Sequence, residues 1–318
     1  MVNRDKIIGG LWGAIVGDAL GVPVEFHSRA ERKKDPVTGM RGEGTFNLPP
    51  GSWSDDSSLM LCTVEGLLDG FSTESIGRLF VRWLKDGYWT PFGYAFDVGY
   101  TTAKSIKKVE GGDIEPELAG GTDERDNGNG SLMRILPVGI YYSSSPVSEL
   151  LNNVHKASSL THRHPRSQMA CGFYCLMAVL LLKGATIPDA YTFAIGQFKK
   201  HYTKCPYAYE LSHFERILST AVVSLPERKI KSSGYVIHTL EAALWCLLTT
   251  NSFSEAVLKA VNLGEDTDTT GIVTGGLAGI YYGLESVPAE WLDAIVRKED
   301  VSSLFERFCN SVTTPIKG

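Results

Sequence analysis

The chain has 318 residues, 43% of them hydrophobic and 21% charged, a composition typical of a globular protein large enough to bury a sizeable core. A net charge of -5 and a pI of about 5.8 argue against a nucleic-acid partner and against attraction to anionic membranes. The six cysteines show no Cys-x-x-Cys spacing and several lie in apolar runs, so they read as reduced core residues of a cytoplasmic protein. The most apolar segment, 169–182, is too short to cross a bilayer as a helix. Residues 7–17 resemble a signal sequence, but Asp5 and Asp18 flank them and no cleavage pattern follows.

The first helix is predicted over 6–20, and its glycines are unusual, because Gly9, Gly13, Gly17 and Gly21 recur every four residues. A glycine inside a helix costs about 1 kcal/mol relative to alanine, so a stripe of them needs a packing reason. The same stripe returns near the other end of the chain as Gly271, Gly275, Gly279 and Gly283. Small residues at this spacing let helix backbones approach closely, so these two helices are predicted to cross each other, or a third, at the centre of the protein. The first helix gives way to an extended loop carrying Glu25. On its own Glu25 reads as a solvated loop acid, while Asp18 is open between a site role and a hydrogen bond to a neighbouring loop. Residues 28–52, rich in charge, Pro and Gly, are predicted as loop, with Arg32-Lys33-Lys34 solvated.

Ser54-Asp55-Asp56 opens a helix over 55–69 that carries Leu59, Cys62, Thr63 and Gly66 on one face and ends at Gly70. An amphipathic helix over 76–85, an aromatic loop over 88–99 carrying Asp97 and Gly99, and a helix over 101–109 follow. The polar, glycine-rich stretch 110–130 offers no core. It ends in Gly128-Asn129-Gly130-Ser131 before an apolar helix, where backbone amides can cradle an anion, although this is neither a Walker loop nor Gly-x-Gly-x-x-Gly after a strand. A helix over 150–160 closes at Thr161-His162-Arg163-His164. Zinc ligation by this pair lacks a supporting cysteine or acid, so ligand contact or capping is preferred. Further helices are predicted over 167–183, 189–200, 211–218, 235–248, 254–262, 288–296 and 302–309. With almost no alternating strand pattern, the fold class is all-α, a single compact multi-helix domain over 1–318.

Near the C-terminal end stands Gly264-Glu265-Asp266-Thr267-Asp268-Thr269-Thr270-Gly271. An Asp-x-Asp pair points both carboxylates to one side of an extended backbone, whereas a helix splays them by about 200°. The pair is therefore placed in the turn that enters the second glycine-striped helix. Adjacent carboxylates repel unless protonated, hydrogen-bonded or joined by a cation. Capping explains any single aspartate before a helix, but a second acidic turn at 54–56 favours a cation site. A calcium EF-hand is rejected, because its twelfth position is Leu277 and not a glutamate.

Five motifs in order, Gly-Asp-Ala-Leu-Gly at 17–21, Trp-Ser-Asp-Asp-Ser at 53–57, Gly-Asn-Gly-Ser-Leu-Met-Arg at 128–134, Thr-His at 161–162 and Asp-Thr-Asp-Thr at 266–269, resemble the ADP-ribosylglycohydrolase family over nearly the whole chain. The resemblance implies an all-helical fold around two divalent ions, Mg²⁺ or Mn²⁺, and removal of ADP-ribose from modified side chains, arginine in the best-known branch. It makes Ser54, Asp55, Asp56, Asp266, Asp268 and Thr269 the metal ligands, an all-oxygen set that suits hard ions. It also implies catalytic roles for Glu25, Asp56 and Asp97, with Glu25 gating or accepting a proton near the ribose and Asp97 facing the leaving guanidinium. Gly99 and the loop Gly128, Asn129, Gly130 and Ser131 would hold the ADP-ribose, the loop its diphosphate, and His162 would line the cleft. The chain departs from the pattern at Glu265, where relatives often have glycine, and at Asn127, where some place an adenine-stacking aromatic. Tyr88, Trp89 and Phe92 are the stacking candidates left. The expected partner is ADP-ribose or an ADP-ribosylated protein, met by a monomer. The alternatives within the resemblance are O-linked ADP-ribose, on serine or as O-acetyl-ADP-ribose, and a non-catalytic, crystallin-like protein that binds ADP-ribose or metal.

Overall fold

The computed structural model describes residues 3–313. Among them the chain folds into fifteen α-helices joined by turns and short 3₁₀ segments, with no strand. The N-terminal half holds α1 (Arg4–Gly21), α2 (Arg29–Lys34), α3 (Asp55–Gly66), α4 (Thr73–Asp86), α5 (Tyr100–Gly111), α6 (Leu136–Tyr141) and α7 (Val147–Ser159). The C-terminal half holds α8 (Pro165–Leu182), α9 (Ile187–His201), α10 (Glu215–Leu218), α11 (Val236–Leu248), α12 (Phe253–Val261), α13 (Thr267–Tyr282), α14 (Ala289–Ala294) and α15 (Lys298–Thr313).

The two glycine stripes meet, as their spacing predicts. Helices α1 and α13 run antiparallel with Gly9 facing Gly279, Gly13 facing Gly275 and Gly17 facing Gly271. A methyl group on Gly9 would come within 2.6 Å of the Gly279 carbonyl oxygen, and one on Gly13 or Gly17 would overlap the carbonyl of Gly275 or Gly271. Only hydrogen on the α-carbon permits backbones this close. The pair continues to the last turn, where the Thr267 hydroxyl donates to the Gly21 carbonyl at 2.8 Å. Both helices are buried along most of their length, consistent with sequences that are apolar on every side.

Around this pair the other long helices form an outer layer. α8 packs between α7 and α9 and reaches α13, where the Tyr174 hydroxyl donates to the Val273 carbonyl at 3.1 Å. By length and composition α1 and α8 could each cross a bilayer, against the expectation drawn from 169–182, which is only part of an 18-residue helix. Other helices cover both of them instead.

Several local expectations change. The predicted loop over 28–52 contains α2, which starts at a capping box of Ser28 and Glu31, and Arg32 within it is buried rather than solvated. Residues 211–218 are a 3₁₀ stretch followed by one turn of α-helix, not a continuous amphipathic helix. Five cysteines are buried as expected, but Cys205 is exposed. His164 is the N-cap of α8, accepting from the Arg166 amide at 3.2 Å.

Replacing Gly275 with leucine should destabilise the protein by about 3 kcal/mol or more, since no rotamer can avoid the α1 backbone. Urea unfolding followed by circular dichroism measures it, and a variant as stable as the parent would contradict the packing described.

Candidate active site

The two acidic turns are brought together by helix α1. Its Asp18 is fully buried and accepts from the Ser54 amide (3.1 Å), the Ser54 hydroxyl (3.0 Å), the Ser57 amide (3.0 Å) and the Ser57 hydroxyl. One carboxylate thus caps the N-terminus of α3 from a different helix, settling the open reading of Asp18 in favour of a hydrogen-bonding role. One turn away, Gly17 and Gly21 lie against Gly271 and Asp268 at the start of α13. Asp55 and Asp56 open α3 and Asp266 to Thr269 open α13, so both carboxylate pairs sit at positive helix ends on either side of α1.

Between them is a cleft of about 380 Å³ lined by Glu25, Asp55, Asp56, Asp97, Asp266 and Thr269 on the acidic side. Gly99, Gly128, Asn129, Gly130 and His162 line it further along. Asp268 is buried with its carboxylate beside those of Glu25 and Asp97, candidate ligand atoms of all three lying within 4.8 Å of one another. Three expected side chains stand behind the cleft wall, Asp268 together with Ser54 and Ser131. Ser54 gives its hydroxyl proton to Asp18, and Ser131 is fully buried against Cys171 (3.4 Å) and Ser158 (2.9 Å), so it brings no side chain to the cleft. The stacking candidates also fall elsewhere. Tyr88 and Trp89 both donate to Glu65, and Phe92 lies outside the cleft wall.

The electrostatics are those of charge gathered without compensation. Burial raises the pKa of Glu25, Asp55, Asp56, Asp97, Asp266 and Asp268 above the usual carboxylate range. For Glu25, Asp55, Asp56 and Asp268, repulsion from the neighbouring acids adds to it. No lysine or arginine pairs with this group among the described residues; one oxygen each of Glu25, Asp56, Asp266 and Asp268 is buried with no hydrogen-bond donor. Unpartnered carboxylate oxygens converging on one spot are the donor set that a hard divalent cation requires, so the residues present fit such an ion. Asp266 turns its other oxygen to the Asn129 amide at 3.0 Å, which ties the glycine loop to the acidic turn.

The far end of the cleft is organised by a hydrogen-bond chain behind His162. The Arg134 guanidinium donates to the Thr161 hydroxyl oxygen at 2.8 Å, which leaves the hydroxyl proton for His162 Nδ1 at 2.9 Å. His162 then carries its own proton on Nε2, facing the glycine loop, and burial lowers its pKa to about 3, so the ring stays neutral. A side chain at Gly130 would strike His162 and Thr102, which accounts for the glycine. Phe26, Tyr100, Thr102, Arg125 and Gly234 also stand in this wall, unmarked by any motif in the sequence. All five stand on loops or at a helix entrance, where no periodic pattern marks them. Glu265, the extra acid beside the Asp-x-Asp pair, is exposed; its main chain matters more, accepting from the Phe26 amide and donating to the His27 carbonyl, each at 2.7 Å.

The fold and this cleft define an all-helical protein that collects carboxylates from two distant helix N-termini at one cation-ready centre. The ADP-ribosylglycohydrolase family model matches residues 2–316, and the chain belongs to that family. It is 34% identical to "ADP-ribosylarginine hydrolase Tri1" of Serratia proteamaculans (strain 568), over 96% of this chain and 79% of that protein. It is 29% identical to "ADP-ribosyl-[dinitrogen reductase] glycohydrolase" of Rhodospirillum rubrum, over 93% of this chain and 92% of the relative. A solved structure titled "ADP-ribosylglycohydrolase-related protein complex" superposes with a TM-score of 0.81 at 30% identity, covering 98% of this chain and 99% of that one.

Two outcomes follow for stability. Asp18→Ala leaves two amides and two hydroxyls without their acceptor and should cost about 1–3 kcal/mol in thermal or urea unfolding. The raised pKa values also set the sign of a pH dependence in chelator. Folded carboxyls hold their protons more tightly than unfolded ones, so the stability these groups contribute is full below the ordinary carboxyl range and is lost as pH climbs through about 6, the pKa of Asp18, and beyond. Mn²⁺ should reverse that fall, and a melting temperature independent of pH with and without Mn²⁺ would count against the charge arrangement.

Proposed function

We propose that this chain is a hydrolase that cleaves the glycosidic bond between ADP-ribose and a modified protein side chain, arginine first among acceptors, with Mg²⁺ or Mn²⁺ held by Asp55, Asp56, Asp266, Asp268, Thr269 and Ser54. Membership of the family supports the bond class, and the named arginine hydrolase among its relatives supports the acceptor. The observation that carries the reading is the set of four buried carboxylate oxygens without donors. Bound divalent ions would orient ribose hydroxyls and lower the pKa of a water at the site.

The chain's own residues divide the remaining work. Ser54 stands behind the cleft wall; giving its proton to Asp18 and accepting the Asp56 amide leaves one oxygen lone pair as a ligand. Glu25 and Asp97 stand side by side, candidate ligand atoms within 4.8 Å, and burial and neighbouring acids favour the protonated form of Glu25. Such a pair can accept a proton on one carboxyl and return it from the other. Positive charge developing on the ribose would be stabilised by the acidic wall. His162 Nε2–H and Arg125 present donors at the opposite end, where the diphosphate would lie. Thr102 and the Gly128–Gly130 main chain border the same end.

The test is release of ADP-ribose from arginine-, serine- and acetyl-linked substrates with Mg²⁺ or Mn²⁺. Arginine-linked substrate should turn over fastest, and Asp55→Asn/Asp266→Asn should lower the rate by about 10²-fold or more and abolish Mn²⁺ uptake in titration calorimetry. A parent protein that binds ADP-ribose yet is inert on all three linkages would replace this reading with the non-catalytic one.

A further inference from the structure

At the mouth of the cleft the chain leaves aromatic rings in solvent. Phe26 is 67% exposed, Tyr94 52% and Phe92 38%. These rings are connected. Phe26 packs on Phe46 with ring centroids 6.3 Å apart, Phe46 on Phe96 at 5.1 Å, Phe96 on Tyr94 at 6.4 Å and Tyr94 on Phe92 at 6.4 Å. Three separate loops thus supply one unbroken row of five rings, which begins at a residue of the cleft wall and leads away from the cleft.

The first ring of the row sits on a left-handed backbone. Phe26 has φ +64°, a left-handed conformation that is a genuine outlier for a bulky side chain. Its amide is fixed to the Glu265 carbonyl, and Glu265 is itself left-handed at φ +64°. Conformations of this kind cost about 1–3 kcal/mol each and persist only where the surrounding structure holds them, here through the paired Phe26, His27 and Glu265 main-chain bonds. An extended apolar row bordering a polar cleft is the signature of a docking surface.

We propose that the row is the platform for the polypeptide bearing the modified side chain, with apolar residues that flank the modified arginine lying across the rings while ADP-ribose fills the cleft. This rests on the function proposed above. Continuity with the cleft supports it, because a cleft of about 380 Å³ takes a nucleotide-sized ligand and the polypeptide attached to it must continue past the mouth. The length of the row points away from a nucleobase, which stacks on one ring or between two.

The experiment compares three substrates: free ADP-ribosyl-arginine, a short peptide ADP-ribosylated on an arginine flanked by Leu and Phe, and the same peptide with Gly and Ser flanks. The parent protein should prefer the apolar-flanked peptide by about tenfold in kcat/KM, mainly through KM. Phe92→Ser/Tyr94→Ser, which alters no residue of the cleft wall, should abolish that preference and leave turnover of free ADP-ribosyl-arginine unchanged. Equal use of the two peptides by the parent, or a preference kept by the variant, overturns the proposal. So does an equal loss on free ADP-ribosyl-arginine, which would make the rings a nucleotide contact, or a parent dimer that the variant dissociates in sedimentation, which would seat a second copy there. If the parent is inert on free ADP-ribosyl-arginine, the function proposed above fails instead. Calorimetric binding of the two peptides then decides the row, a flank preference supporting it and equal affinities overturning it.

Discussion

The closeness of α1 and α13 is the constraint on which the rest of the structure depends. Their backbones touch at Gly9, Gly13 and Gly17, and a single methyl group there would push the helices apart. That contact sets how far Asp18 stands from Asp268, and Asp18 in turn fixes Ser54 and Ser57 at the head of α3. Helix packing, usually a matter of side chains filling grooves, here acts as a gauge for the separation of two carboxylate pairs.

The site itself opposes folding. Six acids with raised pKa values share one cleft without a cationic partner among the described residues, and four of their oxygens lack any donor. Such an arrangement persists because the apolar core around it is extensive, from Ile7 and Leu11 on α1 to Leu277 and Ile280 on α13. Stability is thus concentrated in the central helices and reduced at the place where chemistry is proposed, the usual division between scaffold and functional centre.

Much of this was legible in the sequence because it is periodic or local. Four-residue glycine spacing gave the central crossing, helical apolar spacing gave most of the outer layer, and hydroxyl-acid turns marked the heads of α3 and α13. What escaped was decided by distant parts of the chain. α2 carries no periodic mark, because its signal, Ser28 with Glu31, lies in a charged stretch with no apolar stripe. The motif places Ser131 in the cleft, yet the loop rotates its side chain toward Cys171 and Ser158. Phe26, Tyr100 and Arg125 reach the wall through loop conformations, and no spacing rule predicts a left-handed phenylalanine.

The pairing of residues 17–21 with 266–271 has a consequence for how the molecule is made. Most of the chain must leave the ribosome before α1 can meet its mate, and a glycine-weakened helix has little structure of its own to wait with. Contacts of such long loop closure form late and slowly. The active centre is then among the last features to assemble, and the apolar N-terminal helix stays exposed to chaperones and to misassociation until the acidic turn near its partner arrives.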